Sequence, residues 1–256
     1  MIEKLGGERY NYLSAVACRK KGIGMKINAV IPAIFLLVCG FSTGLKGGFA
    51  MGRKHVVLLG ASVGREWNIS SLPERVGDQD YEFEYVGHSG FDKTDSLKKI
   101  LSRDENKPDV IILKECAAYF PGDFAQYQDL IKNWIDSCRK EGVIPVPATV
   151  VPVTRLHSFK MILIDIIKGR NPFKRGNPLA HKRNASICAY NDWIKEFAAK
   201  EGLAVLDMEA AVRYSVENRF LREDFAKIDG LHINSMAYES LDWIVIPALK
   251  KAGGPR

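Results

Sequence analysis

Cysteine is scarce in this 256-residue chain: there are five, none in a CxxC pair. Only Cys116, Cys138 and Cys188 lie beyond residue 50, so a disulfide framework and a cysteine-ligated zinc site are both excluded, and buried packing is the expected role of each. No segment repeats with a period of 20–50 residues and no low-complexity tract occurs, which excludes solenoids, propellers and collagen-like chains. Walker loops, a GxGxxG turn after a strand and HExxH are absent, so nucleotide chemistry and zinc-protease chemistry have no footing. His55, His157 and His181 stand at no metal-ligand spacing from one another and read as structural or solvated. What is present is ordinary for a globular protein: 46% hydrophobic, 26% charged and 10% aromatic residues, enough to build a large core.

The formal net charge of +7 invites a nucleic-acid partner, but its location does not. Residues 1–50 hold seven basic residues and two acids. Subtracting these from the chain's 37 and 30 leaves 30 and 28, a net +2, for residues 51–256. A nearly neutral globular part carries no nucleic-acid footprint.

The first 50 residues read as a leader. Arg19-Lys20-Lys21 and Lys26 precede an apolar run, Ile27 to Phe41, the length of a signal-peptide core and short of the ~20 residues of a spanning helix. Gly48 and Ala50 suit cleavage after Ala50, and Met25 is a second candidate start. Export to the periplasm or the exterior is the expectation. Three alternatives stand beside it: an uncleaved run that associates with the membrane, lipidation at Cys39, and a cytoplasmic protein begun at Met51.

Residues 51–256 read as a single α/β domain. Short apolar runs at His55–Gly60, Tyr81–Val86, Val110–Leu113, Val143–Val151 and Leu203–Leu206 alternate with helical stretches at Thr94–Leu101, Phe124–Glu141, Lys182–Glu201 and Met236–Lys250. Continuous rather than alternating apolar strands are those buried on both faces, so the pattern predicts a mostly parallel five-stranded sheet between two helical layers. Residues 155–181 interrupt it. Lys160–Lys168 reads as helical and Gly169–Pro178 as an open basic loop, an insertion serving as a lid, a membrane-facing flap or a solvated connection.

In an open parallel sheet the ligand lies beyond the carboxyl ends of the strands. The first strand ends in Gly60-Ala61-Ser62-Val63-Gly64, a serine on a tight turn into a helix, where backbone N–H groups can hold an oxyanion. Near the other end of the chain, Asp229 and His232 stand three residues apart in Asp229-Gly230-Leu231-His232-Ile233-Asn234. One carboxylate can there fix an imidazole whose other nitrogen faces a nucleophile.

These residues resemble the SGNH, or GDSL, hydrolase family, over most of residues 54–250. The resemblance rests on the Asp229–Asn234 block with Tyr238 behind it, on Gly60-Ala61-Ser62, and on Val86-Gly87-His88-Ser89-Gly90-Phe91-Asp92 after the second strand. It implies a flavodoxin-like α/β/α sandwich and an esterase acting through an acyl-enzyme. Ser62 would be the nucleophile, His232 the base, Asp229 its orienting group, and the N–H groups of Ser62 and Gly90 the oxyanion hole. Ala189-Tyr190-Asn191 and Val205-Leu206-Asp207 resemble structural features of the family. No metal or organic cofactor is implied, and the implied partner is a small-molecule or glycan ester.

Two departures stand out. Ala61 replaces the aspartate before the nucleophile. After the third strand, Lys114-Glu115-Cys116-Ala117-Ala118-Tyr119 stands where the family carries Gly-x-Asn-Asp, whose Asn amide is the third oxyanion donor. Cys116 or Ala117 takes its position and neither offers an amide. Lys114, Tyr119 and Asn68 are the candidate substitutes. Lys114, Glu115, Tyr119 and His88 are candidates to line the pocket, and Trp67, Phe91 and Phe120 to wall it. An O-acyltransferase on the same fold and a catalytically weakened binding or accessory protein are the competing readings, the second favoured by the missing amide.

Overall fold

The computed structural model describes residues 52–171 and 179–253; the segment expected to be a leader, the middle of the basic loop and the last three residues lie outside the described residues. Four strands, β1 (Lys54–Gly60), β2 (Tyr81–Gly87), β3 (Val110–Leu113) and β4 (Ile144–Pro147), form a sheet in the order β2-β1-β3-β4. All pairings are parallel, with Leu58 opposite both Tyr85 and Ile112. The connecting helices are α1 (Ser62–Glu66), α2 (Leu72–Val76), α3 (Thr94–Leu101), α4 (Phe124–Lys140), α5 (His157–Ile167), α6 (Ala180–Lys200), α7 (Met208–Val212) and α8 (Ser235–Ala252).

The sheet divides the core in two. Val56, Leu58, Val110, Ile112 and Val146 point to one face, against α8 residues such as Leu241 and Val245. Val57, Leu59, Ile111 and Leu113 point to the other, against α3, α4 and α6 through Leu97, Ile131, Trp134 and Ile187. Successive strand residues thus feed opposite faces, which is why the strands read as unbroken apolar runs. Among the described residues the buried members of both clusters come from residues 56–249, so this part of the chain brings a core of its own.

The fifth expected strand, Leu203–Leu206, is reduced to a single parallel bridge between Ala148 and Leu206. Leu206 N–H donates to Pro147 C=O and Thr149 N–H to Leu206 C=O, each at 3.0 Å. The next step of a parallel ladder would need an N–H from residue 147, and proline has none. The ladder stops there. The expected fourth strand, residues 143–151, likewise keeps ladder geometry only over Ile144–Pro147. Beyond it the backbone is held by a side chain instead: the Asn191 amide accepts from Val150 N–H at 2.7 Å and donates to Val150 C=O at 2.9 Å.

The insertion begins with α5, whose buried residues are His157 and Asp165. No helix of the described residues is long and apolar enough to cross a membrane.

Candidate active site

The carboxyl end of β1 delivers Ser62 at the first position of α1. Ala61, the N-cap residue, offers the helix no side-chain acceptor. A residue of the neighbouring strand steadies the turn. The Tyr85 hydroxyl lies 3.0 Å from Ala61 C=O and 3.2 Å from Gly60 C=O, sharing its proton between them. Because Ser62 opens the helix, its N–H has no acceptor within it.

The loop before α8 presents the other two groups. His232 Nε2 lies 3.1 Å from Ser62 Oγ, and His232 Nδ1 lies 2.6 Å from Asp229 Oδ2. With a carboxylate at Nδ1, the proton sits on Nδ1 and Nε2 is left to accept from the serine. Burial would raise the Asp229 carboxyl, but bonds from the His232 ring and from the N–H groups of His232 and Leu231 outweigh it and hold the group below the usual carboxylate range. The bond to Asp229 in turn raises His232 above its ordinary value.

The motif around these residues has a structural account. Gly230 adopts φ +67°, and a Cβ there would collide with Thr154 Oγ1, so only glycine fits the turn. Asn234 caps α8 by accepting from Ala237 N–H at 3.2 Å. Tyr238 donates to Val63 C=O at 3.2 Å, tying α8 to the helix that carries Ser62.

Two residues outside any motif brace Asp229 from behind. His157, at the start of α5, lies with Nδ1 2.7 Å from Asp229 C=O. Arg183 Nη1, 2.7 Å from His157 Nε2, can only donate, so His157 is neutral and donates through Nδ1. Burial lowers the His157 pKa, in keeping with that state.

A cleft of about 390 Å³ opens beside Ser62, lined by Arg65, Tyr85, His88, Cys116 and Tyr119 among others. Of the sequence candidates, His88 and Tyr119 reach it. The His88 ring contacts Ser96 Oγ through Nδ1 at 2.9 Å.

Lys114 and Glu115 do not line the cleft, correcting that expectation. Both are buried, as are Cys116 and Ala117 after them, so the chain stays within the packed layer past the end of β3. Lys114 Nζ donates to Glu115 C=O at 2.9 Å. The Glu115 carboxylate pairs with buried Lys93, which also donates to Phe91 C=O at 3.1 Å and Gly90 C=O at 3.4 Å. Burial pushes the Glu115 pKa up to about 7, with Lys93 pulling the other way. The pair therefore fastens the Gly90 loop from beneath. Asn68 is also elsewhere, its amide engaged with Ser70 and Ser71. Trp67, Phe91 and Phe120 are buried core residues; Trp67 Nε1 donates to Asp242 at 2.7 Å.

Gly90 shows an arrangement the motif did not suggest. Its N–H donates to the Tyr119 hydroxyl at 2.9 Å. Tyr119 belongs to the short 3-10 turn Ala117–Tyr119 that stands in place of the Gly-x-Asn-Asp block. Its hydroxyl oxygen is thus an acceptor, leaving its own proton free. Burial raises its pKa, with the Gly90 bond opposing, so the phenol stays protonated at neutral pH.

Comparison with known proteins gives fold and little more. No family profile matches the chain, and no curated protein matches it in sequence. Among solved structures, a protein assigned as an acylhydrolase from Bacteroides fragilis superposes with TM-score 0.57 at 16% identity, covering 78% of this chain and 88% of that one. A GDSL-like lipase from Bacteroides thetaiotaomicron gives 0.56 at 15%, covering 78% and 89%. A protein assigned to the G-D-S-L lipolytic group from Desulfitobacterium hafniense gives 0.52 at 16%, covering 77% and 99%. The chain has the SGNH-hydrolase fold.

Proposed function

We propose that this protein is a serine esterase of the SGNH type that cleaves its substrate through an acyl-enzyme. The observation that carries the reading is the hydrogen-bonded relay Ser62–His232–Asp229, at 3.1 and 2.6 Å. A fold maintained only for binding has no physical need of it. Ser62 Oγ attacks the ester carbonyl while His232 Nε2 takes its proton, and Asp229 stabilises the imidazolium that forms. The same proton then passes from His232 to the departing alkoxide. Water, deprotonated by His232, attacks the acyl carbon and releases the acid and free Ser62.

The negative oxygen of each tetrahedral intermediate needs fixed donors. Ser62 N–H is one. The Tyr119 O–H is the other, in place of the family's asparagine, with Gly90 N–H acting behind it: a hydroxyl that already accepts a hydrogen bond is a better donor. As substrate class we infer a small acyl group on a glycan or another surface polymer, met by an exported enzyme. The 390 Å³ cleft has room for such a group.

The test is labelling with a fluorophosphonate probe, which reacts only with an activated serine. The protein from residue 51 is compared with Ser62→Ala and His232→Ala. Labelling of the wild type and loss in both variants is the expected result. An unlabelled but folded wild type would instead support an accessory binding protein, and labelling that survived Ser62→Ala would mean another serine is the nucleophile.

A further inference from the structure

Helix α5 is built the wrong way round for a water-exposed helix. Its buried side carries His157 and Asp165, while Leu156, Phe159, Ile162, Leu163, Ile166 and Ile167 are between 36% and 78% exposed. The spacing of 156, 159, 163, 166 and 167 puts them on one stripe, with Lys160 as the one charged residue at its edge. A helix covering a soluble surface presents the opposite pattern, and a contiguous apolar patch of this kind marks a contact surface.

The surroundings select the contact. The exposed charged residues at the two ends of the helix are Arg155, Lys168 and Arg170, all basic. Lys160 is engaged with Glu223 at 2.6 Å, and the helix's own acid, Asp165, is turned inward. An apolar face rimmed by cations fits a lipid surface carrying anionic headgroups, with the stripe among the acyl chains and the cations at headgroup level. The patch also adjoins the candidate active site. The first residue of α5 contacts Asp229 C=O through His157, and Ile228, immediately before Asp229, is 82% exposed.

We propose that α5 docks residues 52–253 on an anionic bilayer, holding the Ser62 cleft at the membrane surface. This docking is separate from any contribution of the N-terminal apolar run, and it does not depend on the esterase reading.

Because both core clusters of the described residues are built from residues 56–249, the protein from residue 51 is used, which takes the N-terminal apolar run out of the experiment. Co-sedimentation is measured with vesicles of phosphatidylcholine alone and of phosphatidylcholine mixed with phosphatidylglycerol. The wild type is expected to bind the mixed vesicles, weakly at high salt. Phe159→Asp with Ile166→Asp should cut the partition at least tenfold. Lys168→Glu with Arg170→Glu should remove the preference for phosphatidylglycerol. Both pairs are solvent-exposed, so unchanged thermal melts and unchanged hydrolysis of soluble p-nitrophenyl acetate are expected. Absence of wild-type binding, equal binding to both vesicle types, or variants that bind like the wild type would each overturn the proposal. So would a concentration-dependent dimer in sedimentation velocity that the Asp pair abolishes, since the occupant would then be a second copy of the chain. Loss of ester hydrolysis in the wild type with vesicle binding intact would sink the esterase reading and leave the docking standing.

Discussion

Tyr119→Phe removes one oxygen from the site and little else. The ring of Tyr119 meets Phe91 edge-on at 6.2 Å between centroids, and phenylalanine keeps that contact. The backbone carbonyl of residue 119, which accepts from the Tyr127 hydroxyl at 2.8 Å, is untouched. What disappears is the hydroxyl 2.9 Å from Gly90 N–H. If it donates to the oxyanion, its loss costs the transition state one preorganised donor, worth about 2.7–4 kcal/mol, or about 10²–10³ in kcat. KM should change little, because the interaction forms only as charge develops. Steady-state hydrolysis of p-nitrophenyl acetate by the protein from residue 51, with a thermal melt as the folding control, reads both quantities. The competing account is that the hydroxyl merely occupies Gly90 N–H in the resting enzyme. Its removal would then free a backbone donor, and kcat would stay within about threefold, under 1 kcal/mol, or rise. Either of those results refutes the assignment of Tyr119 as a donor.

Three other perturbations follow from the bonds around the site. The acid limb of the kcat/KM profile should lie above pH 6.5, because the Asp229 bond raises His232 and only neutral imidazole can accept the serine proton. Asp229→Asn should move that limb downward and lower kcat by about 10⁴, read from a pH–rate profile. Lys93→Met leaves the Glu115 carboxyl buried without its partner, a loss of about 3–5 kcal/mol in urea unfolding. Glu115 already binds its proton more tightly in the folded protein, at about 7 against an ordinary 4.5. The folded state therefore loses stability as pH rises between those values. Without Lys93 the folded value climbs further, so the penalty should be larger at pH 8 than at pH 5, and an equal penalty at both would refute the pairing. Tyr85→Phe should cost about 1 kcal/mol and lower kcat more than it changes KM, since it loosens the turn that aims Ser62.

Most of the frame was legible because local pattern and burial coincide. Val110–Leu113 reads as a continuous apolar run and is a strand buried on both faces. Thr94–Leu101 matches α3 to the residue. The fifth strand failed on something periodicity does not weigh, the missing N–H of Pro147. In the site, Ser62, Asp229 and His232 could be found because a glycine turn and a short block carry their own signatures. His157 and Arg183 could not: His157 reaches Asp229 across 72 residues, Arg183 reaches His157 across 26, and neither belongs to a motif. Lys114-Glu115 at the end of a buried strand was conspicuous, but its partner Lys93 lies 22 residues earlier on another loop. Sequence showed that these charges needed partners, and only the fold showed that the pairing serves the Gly90 loop rather than the substrate. Tyr119 is among the sequence candidates for the missing donor, whereas the Tyr85 hydroxyl had the weakest signal, since a tyrosine near a strand end is far more often simply packed.

Those two tyrosines stand where the sequence departs from the family pattern. Tyr85 holds the turn in which Ala61 stands, and Tyr119 accepts from Gly90 N–H. If this is substitution rather than decay, restoring the amide should make Tyr119 dispensable. Cys116 is the position to use: it aligns with the missing block, lines the cleft and is small. Cys116→Asn in the Tyr119→Phe background should recover at least about tenfold of the 10²–10³ lost. In the wild-type background the same change should gain little, because two donors for one lone-pair direction are not additive. The comparison needs four proteins, one soluble ester and a melt for each. Recovery confined to the Tyr119→Phe background would show that amide and hydroxyl serve one oxygen. A folded double variant with no recovery would show that the residue 116 side chain does not reach the oxyanion, and the alignment of Cys116 with the family's asparagine would have to be abandoned.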